Sequence, residues 1–113
     1  MALDKPMELL ELAPGETRAF TVVRAELGET IITPRDGRPP KTVEDLRLHV
    51  DPNDKPLFPH YYDVTAVTLI AQLRDLAQPG APLPRQLTIA KVGSGPAARF
   101  SVQSAPAEVR AGP

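Results

Sequence analysis

Clusters of proline and glycine interrupt the chain at short intervals, and no other feature limits its fold as strongly. The sequence holds 14 prolines and seven glycines among 113 residues. These residues break regular structure because proline lacks a backbone N–H and glycine adopts conformations that are closed to other residues. A chain of this length buries only one sizeable core, so we expect a single domain over residues 1–113.

Five segments between these clusters have the composition or alternation of β-strands. Residues 17–27 are rich in threonine, valine and phenylalanine. In residues 42–50, apolar side chains alternate with Asp45, Arg47 and His49, which is typical of a strand with one buried face. The predicted strands are 17–27, 30–33 (after a turn at Gly28-Glu29), 42–50, 86–92 and 98–103, the last two joined by a glycine-rich turn.

One segment has the periodicity of an α-helix. Val67, Ile70, Leu73 and Leu76 recur at helical spacing, with Ala66, Leu69 and Ala77 beside them. Asp63 or Thr65 could cap its first turn, because a side-chain oxygen there can accept from a free backbone N–H. Proline and glycine at 79–80 end it.

The remaining segments flank these elements. Residues 1–15 form an N-terminal extension, within which the apolar stretch 7–12 fits either a short edge strand or a helical turn, and residues 105–113 form a flexible tail. Phe20 and Phe100 are expected in the core. The aromatic stretch 58–62 is too dense in rings for all of them to be buried, so one or two should be exposed.

This order of elements resembles a known fold. Three strands, a helix and two strands over residues 16–104 resemble the five-stranded Greek-key barrel of the oligonucleotide/oligosaccharide-binding (OB) fold, with its helix between strands 3 and 4. In addition, YYDVT at 61–65 and KVGSGPAARFSV at 91–102 are similar to the C-terminal half of small phage proteins that bind single-stranded DNA. The resemblance implies a non-enzymatic viral protein that protects single strands during replication or recombination.

A single-strand site needs cations along the phosphates and planar groups for the bases. The expected partner is single-stranded DNA, and the sequence does not separate DNA from RNA. Strand residues on one curved face and a basic loop supply the cations, and the aromatic connector supplies the rings. The candidate binding residues are Arg24, Arg35, Arg38, Lys41, Arg47, His49, His60, Tyr61, Tyr62, Lys91 and Arg99.

Other classes of function find little support in the sequence. The absence of cysteine excludes disulfides and thiolate metal sites. No serine or histidine stands in a nucleophile motif, so we expect no enzyme, no metal and no cofactor. The N-terminus lacks a signal-peptide pattern and no apolar run could span a membrane, which favours the cytoplasm. Many prolines, one asparagine and nine arginines against four lysines suggest a thermophilic source.

An alternative function also fits the sequence. A near-neutral net charge of −1 and the aromatic stretch 58–62 suit a small β-barrel that docks on another protein, such as a viral structural component or an inhibitor. A homodimer formed through the apolar residues 7–12 would be compatible with either function.

Overall fold

A computed structural model describes residues 7–33, 36–93 and 98–107. They form one sheet of five antiparallel strands with a single short helix. The spatial order of the strands is β3-β2-β1-β4-β5. The elements are β1 (Thr17–Ile32), β2 (Lys41–Val50), β3 (Tyr61–Val64), α1 (Val67–Leu73), a 3₁₀ turn (Arg74–Ala77), β4 (Arg85–Val92) and β5 (Arg99–Pro106).

The central strand β1 belongs to both halves of the sheet. Residues 17–22 pair with β4 and residues 22–32 pair with β2, with a bulge between Val22 and Arg24. The predicted turn at Gly28-Glu29 is wrong, because Gly28 lies within the strand opposite Asp45 and the pairing continues to Ile32. Continuous pairing with β2 outweighs the local tendency of glycine to turn, so the two predicted strands are one.

The strand β3 was not predicted. Residues 61–64 pair with residues 46–49 of β2, where the sequence indicated a connector and a helix cap. Asp63 therefore does not cap the helix; α1 begins after Ala66, with no side-chain hydrogen bond at its cap. The end of the helical region at Ala77 and the positions of β4 and β5 agree with the prediction, although β5 extends to Pro106.

The core lies on one side of the sheet, here called the inner face. It is filled by Phe20, Leu46, Leu48 and Leu87 of the strands, and α1 covers it with Leu69, Ile70 and Leu73. Phe20 is 2% exposed, as predicted, and Phe100 packs partly buried against this cluster. Val67, predicted on the buried stripe, is instead 79% exposed, because the stripe begins at Leu69. The opposite side is called the outer face.

The two edges of the sheet differ. Residues 7–12 run beside β3, where Leu9 bridges Asp63 in parallel, so the edge-strand interpretation is the better one. The N–H of Asp63 donates to the carbonyl of Glu8 at 2.7 Å, and the N–H of Leu10 donates to the carbonyl of Asp63 at 2.8 Å. β5 forms the other edge, and within the described ranges it does not pair with β3, so the sheet stays open. No helix in these ranges is long and apolar enough to cross a membrane.

Candidate nucleic-acid interface

Strand register separates the predicted binding residues into groups. Residues paired across antiparallel strands share a face of the sheet. Tyr62 and Lys91, paired with Leu48 and Phe100, therefore lie on the inner face. Arg38 and His60 lie in connections, and Arg35 lies outside the described residues. The predicted residues on the outer face are Arg24, Lys41, Arg47, His49, Tyr61 and Arg99.

Arg47 is on the predicted face but it is not at the surface. Its side chain is 2% exposed and is held by Asp63, which is 0% exposed. Nε donates to Oδ1 at 2.7 Å and Nη2 donates to Oδ2 at 3.0 Å, so the guanidinium holds both carboxylate oxygens. The Glu8 N–H also donates to Asp63 Oδ2, at 2.8 Å. The expectation that Arg47 contacts phosphate is therefore wrong, because its charge is already paired in the interior.

Tyr61 belongs to the same buried cluster. Its ring centroid lies 4.0 Å from the guanidinium carbon of Arg47, and the residue is 3% exposed. Burial raises the pKa of the Tyr61 hydroxyl. A base has no access to a ring that is covered in this way, so the prediction that Tyr61 stacks on bases is also wrong.

A second carboxyl group lies close to this ion pair. Asp45 is 1% exposed, and its Oδ1 has no hydrogen-bond partner among the residues described. Burial and the nearby charge of Asp63 raise the pKa of Asp45 to about 7, although Arg47 acts in the opposite direction. Two carboxyl groups thus share one guanidinium inside the protein.

The solvent-exposed part of the outer face carries a smaller cluster of charged side chains. Arg24 Nη2 lies 2.5 Å from Glu26 Oε2, and His49 Nε2 lies 3.5 Å from Glu26 Oε1. Burial alone would raise the pKa of Glu26, but the hydrogen bond from Arg24 and the proximity of His49 outweigh it and lower that pKa. The Arg24 side chain is 66% exposed, so it remains accessible to a ligand.

The other accessible cations among the predicted binding residues lie toward the two ends of the sheet. Lys41 is exposed at the start of β2, opposite the last residue of β1, and Arg38 precedes it with a side chain that is 77% exposed. Arg99 is exposed at the start of β5, opposite Val92, near the first residues of β1. Neither Lys41 nor Arg99 forms an ion pair within the described part of the chain.

A cleft that the sequence did not indicate opens beside Tyr62. It has a volume of about 690 Å³ and lies between residues 8–11 and the connection 54–58. The Arg18 guanidinium carbon and Lys55 Nζ lie 5.6 and 5.1 Å from the Tyr62 ring centroid. Arg18 and Lys55 are 37 residues apart in sequence, so only the folded chain shows that both lie beside Tyr62.

The rim of this cleft carries the exposed aromatic ring that the sequence predicted. Phe58 is 77% exposed, and its ring centroid lies 6.1 Å from that of His60. His60 is half-buried, with Nδ1 2.8 Å from the Lys55 carbonyl. Lys55 Nζ in turn donates to the Pro59 carbonyl at 2.5 Å and to Glu8 Oε2 at 3.2 Å. These bonds tie the connection to the N-terminal segment.

Comparison of the chain with models of protein families, with curated proteins and with solved structures gave no match. Nor do the residues described here contain a group of three or more His, Asp or Glu side chains that could hold a metal ion.

Proposed function

We propose that this protein is an OB-like binder of single-stranded nucleic acid. The observation that carries the proposal is the strand connectivity. A long, bulged β1 pairs with β2 through one half and with β4 through the other, and the helix follows β3. The OB fold is a partly open five-stranded Greek-key barrel, and this sheet, open between β3 and β5, has the same order of three strands, a helix and two strands.

The outer face offers a track for a polyanion. In OB folds, the face of strands 2 and 3 and the loops after strands 1 and 4 bind oligonucleotides. In this chain the buried Arg47–Asp63 pair occupies the outer face of β2 and β3, so the proposal places the contacts at the two loops and along β1. Here those loops are flanked by Arg38 and Lys41 at one end and by Arg99 at the other. The 16 residues of β1 between them have a contour length of roughly 50 Å. Arg24 lies along this path, so four exposed cations could follow the phosphates of one strand.

Exposed rings supply the planar contacts in this proposal. Phe58 replaces the buried Tyr61 as the stacking residue, because it is 77% exposed at the rim of the cleft. Tyr62, with Arg18 and Lys55 near its ring, lines the cleft on the inner face and is therefore not part of the outer-face track. Stacking on such rings tolerates any base, which suits binding without sequence preference.

Salt dependence tests the contribution of the cations. Four phosphate contacts by Arg24, Arg38, Lys41 and Arg99 should give a slope of log affinity against log salt of about −3 for a single strand. Affinity for a fluorescent deoxythymidine oligomer of about 20 nucleotides should then fall roughly 50-fold between about 50 and 200 mM salt. The Lys41→Ala/Arg99→Ala variant should reduce the slope by about 1.4.

The matched control for this titration is Arg74→Ala, which removes an exposed arginine from the 3₁₀ turn, outside the proposed track. It should leave the slope unchanged, and the corresponding duplex should bind much more weakly than the single strand. Equal affinity for single strand and duplex, or no binding at low salt, would contradict the proposed function.

Substitutions at two neighbouring residues distinguish base stacking on Phe58 from a general apolar contact with the nucleic acid. Phe58→Ala should weaken single-strand binding about 5- to 100-fold, because a base loses its aromatic platform. Leu57→Ala removes an equally exposed apolar side chain, 79% exposed against 77%, and should leave binding nearly unchanged. The same titration measures both variants, and an equal loss in both would exclude stacking by Phe58.

The exposed Leu57-Phe58 pair also favours the second candidate function, a protein-interaction module. Apolar side chains that protrude together at a surface are typical of contact sites. In that case Leu57→Ala and Phe58→Ala should both weaken the complex, and its affinity should change little with salt. The two functions thus predict opposite results for Leu57→Ala.

A further inference from the structure

The sheet protects one edge and leaves the other open. Residues 8 and 10 hydrogen-bond to Asp63 along the edge of β3. In the described chain no segment runs along β5 in this way, only Gln72 reaches its edge, at Phe100, and residues 103–106 are all exposed. Proteins usually protect an open edge with charged side chains or bulges, yet Arg99 is the only charged residue between 99 and 106.

Neighbouring contacts show which backbone groups of β5 point away from the sheet. Lys91, opposite Phe100, donates its N–H to the Glu16 carbonyl at 3.0 Å and accepts the Gly15 N–H at 2.8 Å. The backbone N–H and carbonyl of Lys91 thus both point toward β1. Phe100 therefore makes no backbone hydrogen bond to Lys91, and its own N–H and carbonyl point away from the sheet, toward solvent. Gln72 Nε2 donates to the outward Phe100 carbonyl at 3.1 Å. Because this direction alternates along a strand, the backbone polar groups of Val102, Ser104 and Pro106 also point away from the sheet.

We propose that this edge binds the β5 edge of a second copy of the chain, antiparallel, about a two-fold axis at Gln103. In this register Val102 opposes Ser104 of the other copy, and each such pair makes two backbone hydrogen bonds. Phe100 opposes Pro106. The Phe100 carbonyl already accepts a hydrogen bond from Gln72, and the opposing proline has no N–H to donate to it. This register therefore leaves no backbone donor of Pro106 unsatisfied.

Side chains fit the same register. Val102 and Phe100 are only partly buried against the core, and a neighbouring strand would cover both. Arg99 would oppose Ala107, so no like charges meet across the axis. The edges then form one ten-stranded sheet with a self-complementary contact. Because a single strand pair is a small interface, we expect a dimer that dissociates at micromolar concentrations.

A proline substitution tests the backbone contact. Ser104→Pro removes an outward N–H while leaving the inward bonds to β4, so it should weaken dimerisation about tenfold or more in sedimentation velocity. Ser104→Ala is the control. It removes the same hydroxyl, which bonds to Arg85, but keeps the N–H, and should dimerise like the unmodified protein.

A charge swap tests the axis without proline. Gln103→Lys and Gln103→Glu each place like charges opposite themselves and should weaken self-association, whereas an equimolar mixture of the two should restore a dimer. Gln86→Lys adds the same charge one strand further in and should change dimerisation little. A chain that stays monomeric up to about millimolar concentration, or a mixture no better than its components, would overturn the proposal. No nucleic acid takes part, so this result is independent of the proposed function.

Discussion

Replacing Arg47 with alanine should lower the free energy of unfolding by about 3–5 kcal/mol. The substitution removes the guanidinium that holds both oxygens of Asp63 and leaves a carboxylate at 0% exposure without its counter-charge. It also removes the cation that lies against the Tyr61 ring. Urea denaturation followed by circular dichroism measures the change, provided that the slope of the transition stays the same.

Arg24→Ala is the matched control for this experiment. Arg24 lies on the same outer face and is also paired with a carboxylate, that of Glu26. Its side chain is 66% exposed, however, so water replaces the lost contact. Its loss should cost less than about 1 kcal/mol. Similar losses for the two arginines would mean that the Arg47–Asp63 pair does not stabilise the fold in the way its burial indicates.

These two arginines show how far the sequence could predict the site. Alternation in residues 42–50 correctly placed Arg47 on the opposite face from Leu46 and Leu48. Alternation assigns a face, however, and does not say whether that face is covered. The partner that withdraws Arg47 from the surface, Asp63, lies 16 residues further on, in a strand that the sequence did not indicate.

The errors in the predicted fold have a common physical origin. Gly28 and Asp63 disfavour strands, and the β-forming residues beside Asp63 make a run of only four, so long-range pairing decides the conformation of both segments. Gly28 stays extended because β2 pairs with it, and residues 61–64 form a strand because β2 lies on one side and residues 8–10 on the other. Segments rich in β-forming residues, such as 17–27 and 86–92, could be predicted because local preference and strand pairing agree.

The second large effect concerns pH. The carboxyl group of Asp45 has an ordinary pKa of 3.8, and in the folded chain burial and Asp63 raise this pKa to about 7. Below about pH 3 the group is mostly protonated in both states and has little effect on stability. As the pH rises toward 7, the unfolded chain releases the proton while the folded chain retains it, so the protein loses stability, by at most about 4 kcal/mol.

Asp45→Asn should remove this loss, because asparagine has a similar shape and no charge to bury. We expect the variant to be more stable than the unmodified protein at pH 8, by about 2–4 kcal/mol, with the advantage fading toward pH 4. Denaturation at several pH values measures it, and Asp75→Asn, which changes an exposed acid, should show no such trend. A variant less stable than the unmodified protein at pH 8 would mean that Arg47 favours the ionised Asp45 more than burial opposes it.

The two predictions are coupled through one guanidinium. Arg47 lies near two buried carboxyl groups, Asp45 and Asp63, and its removal leaves both without a nearby cation in the described cluster. Without Arg47 the pKa of Asp45 rises further, so at pH 8 the folded Arg47→Ala chain retains a proton at Asp45 that the unfolded chain releases, and Asp45→Asn removes that cost. At pH 8 the double variant should therefore be more stable than Arg47→Ala alone, and the two effects should not add.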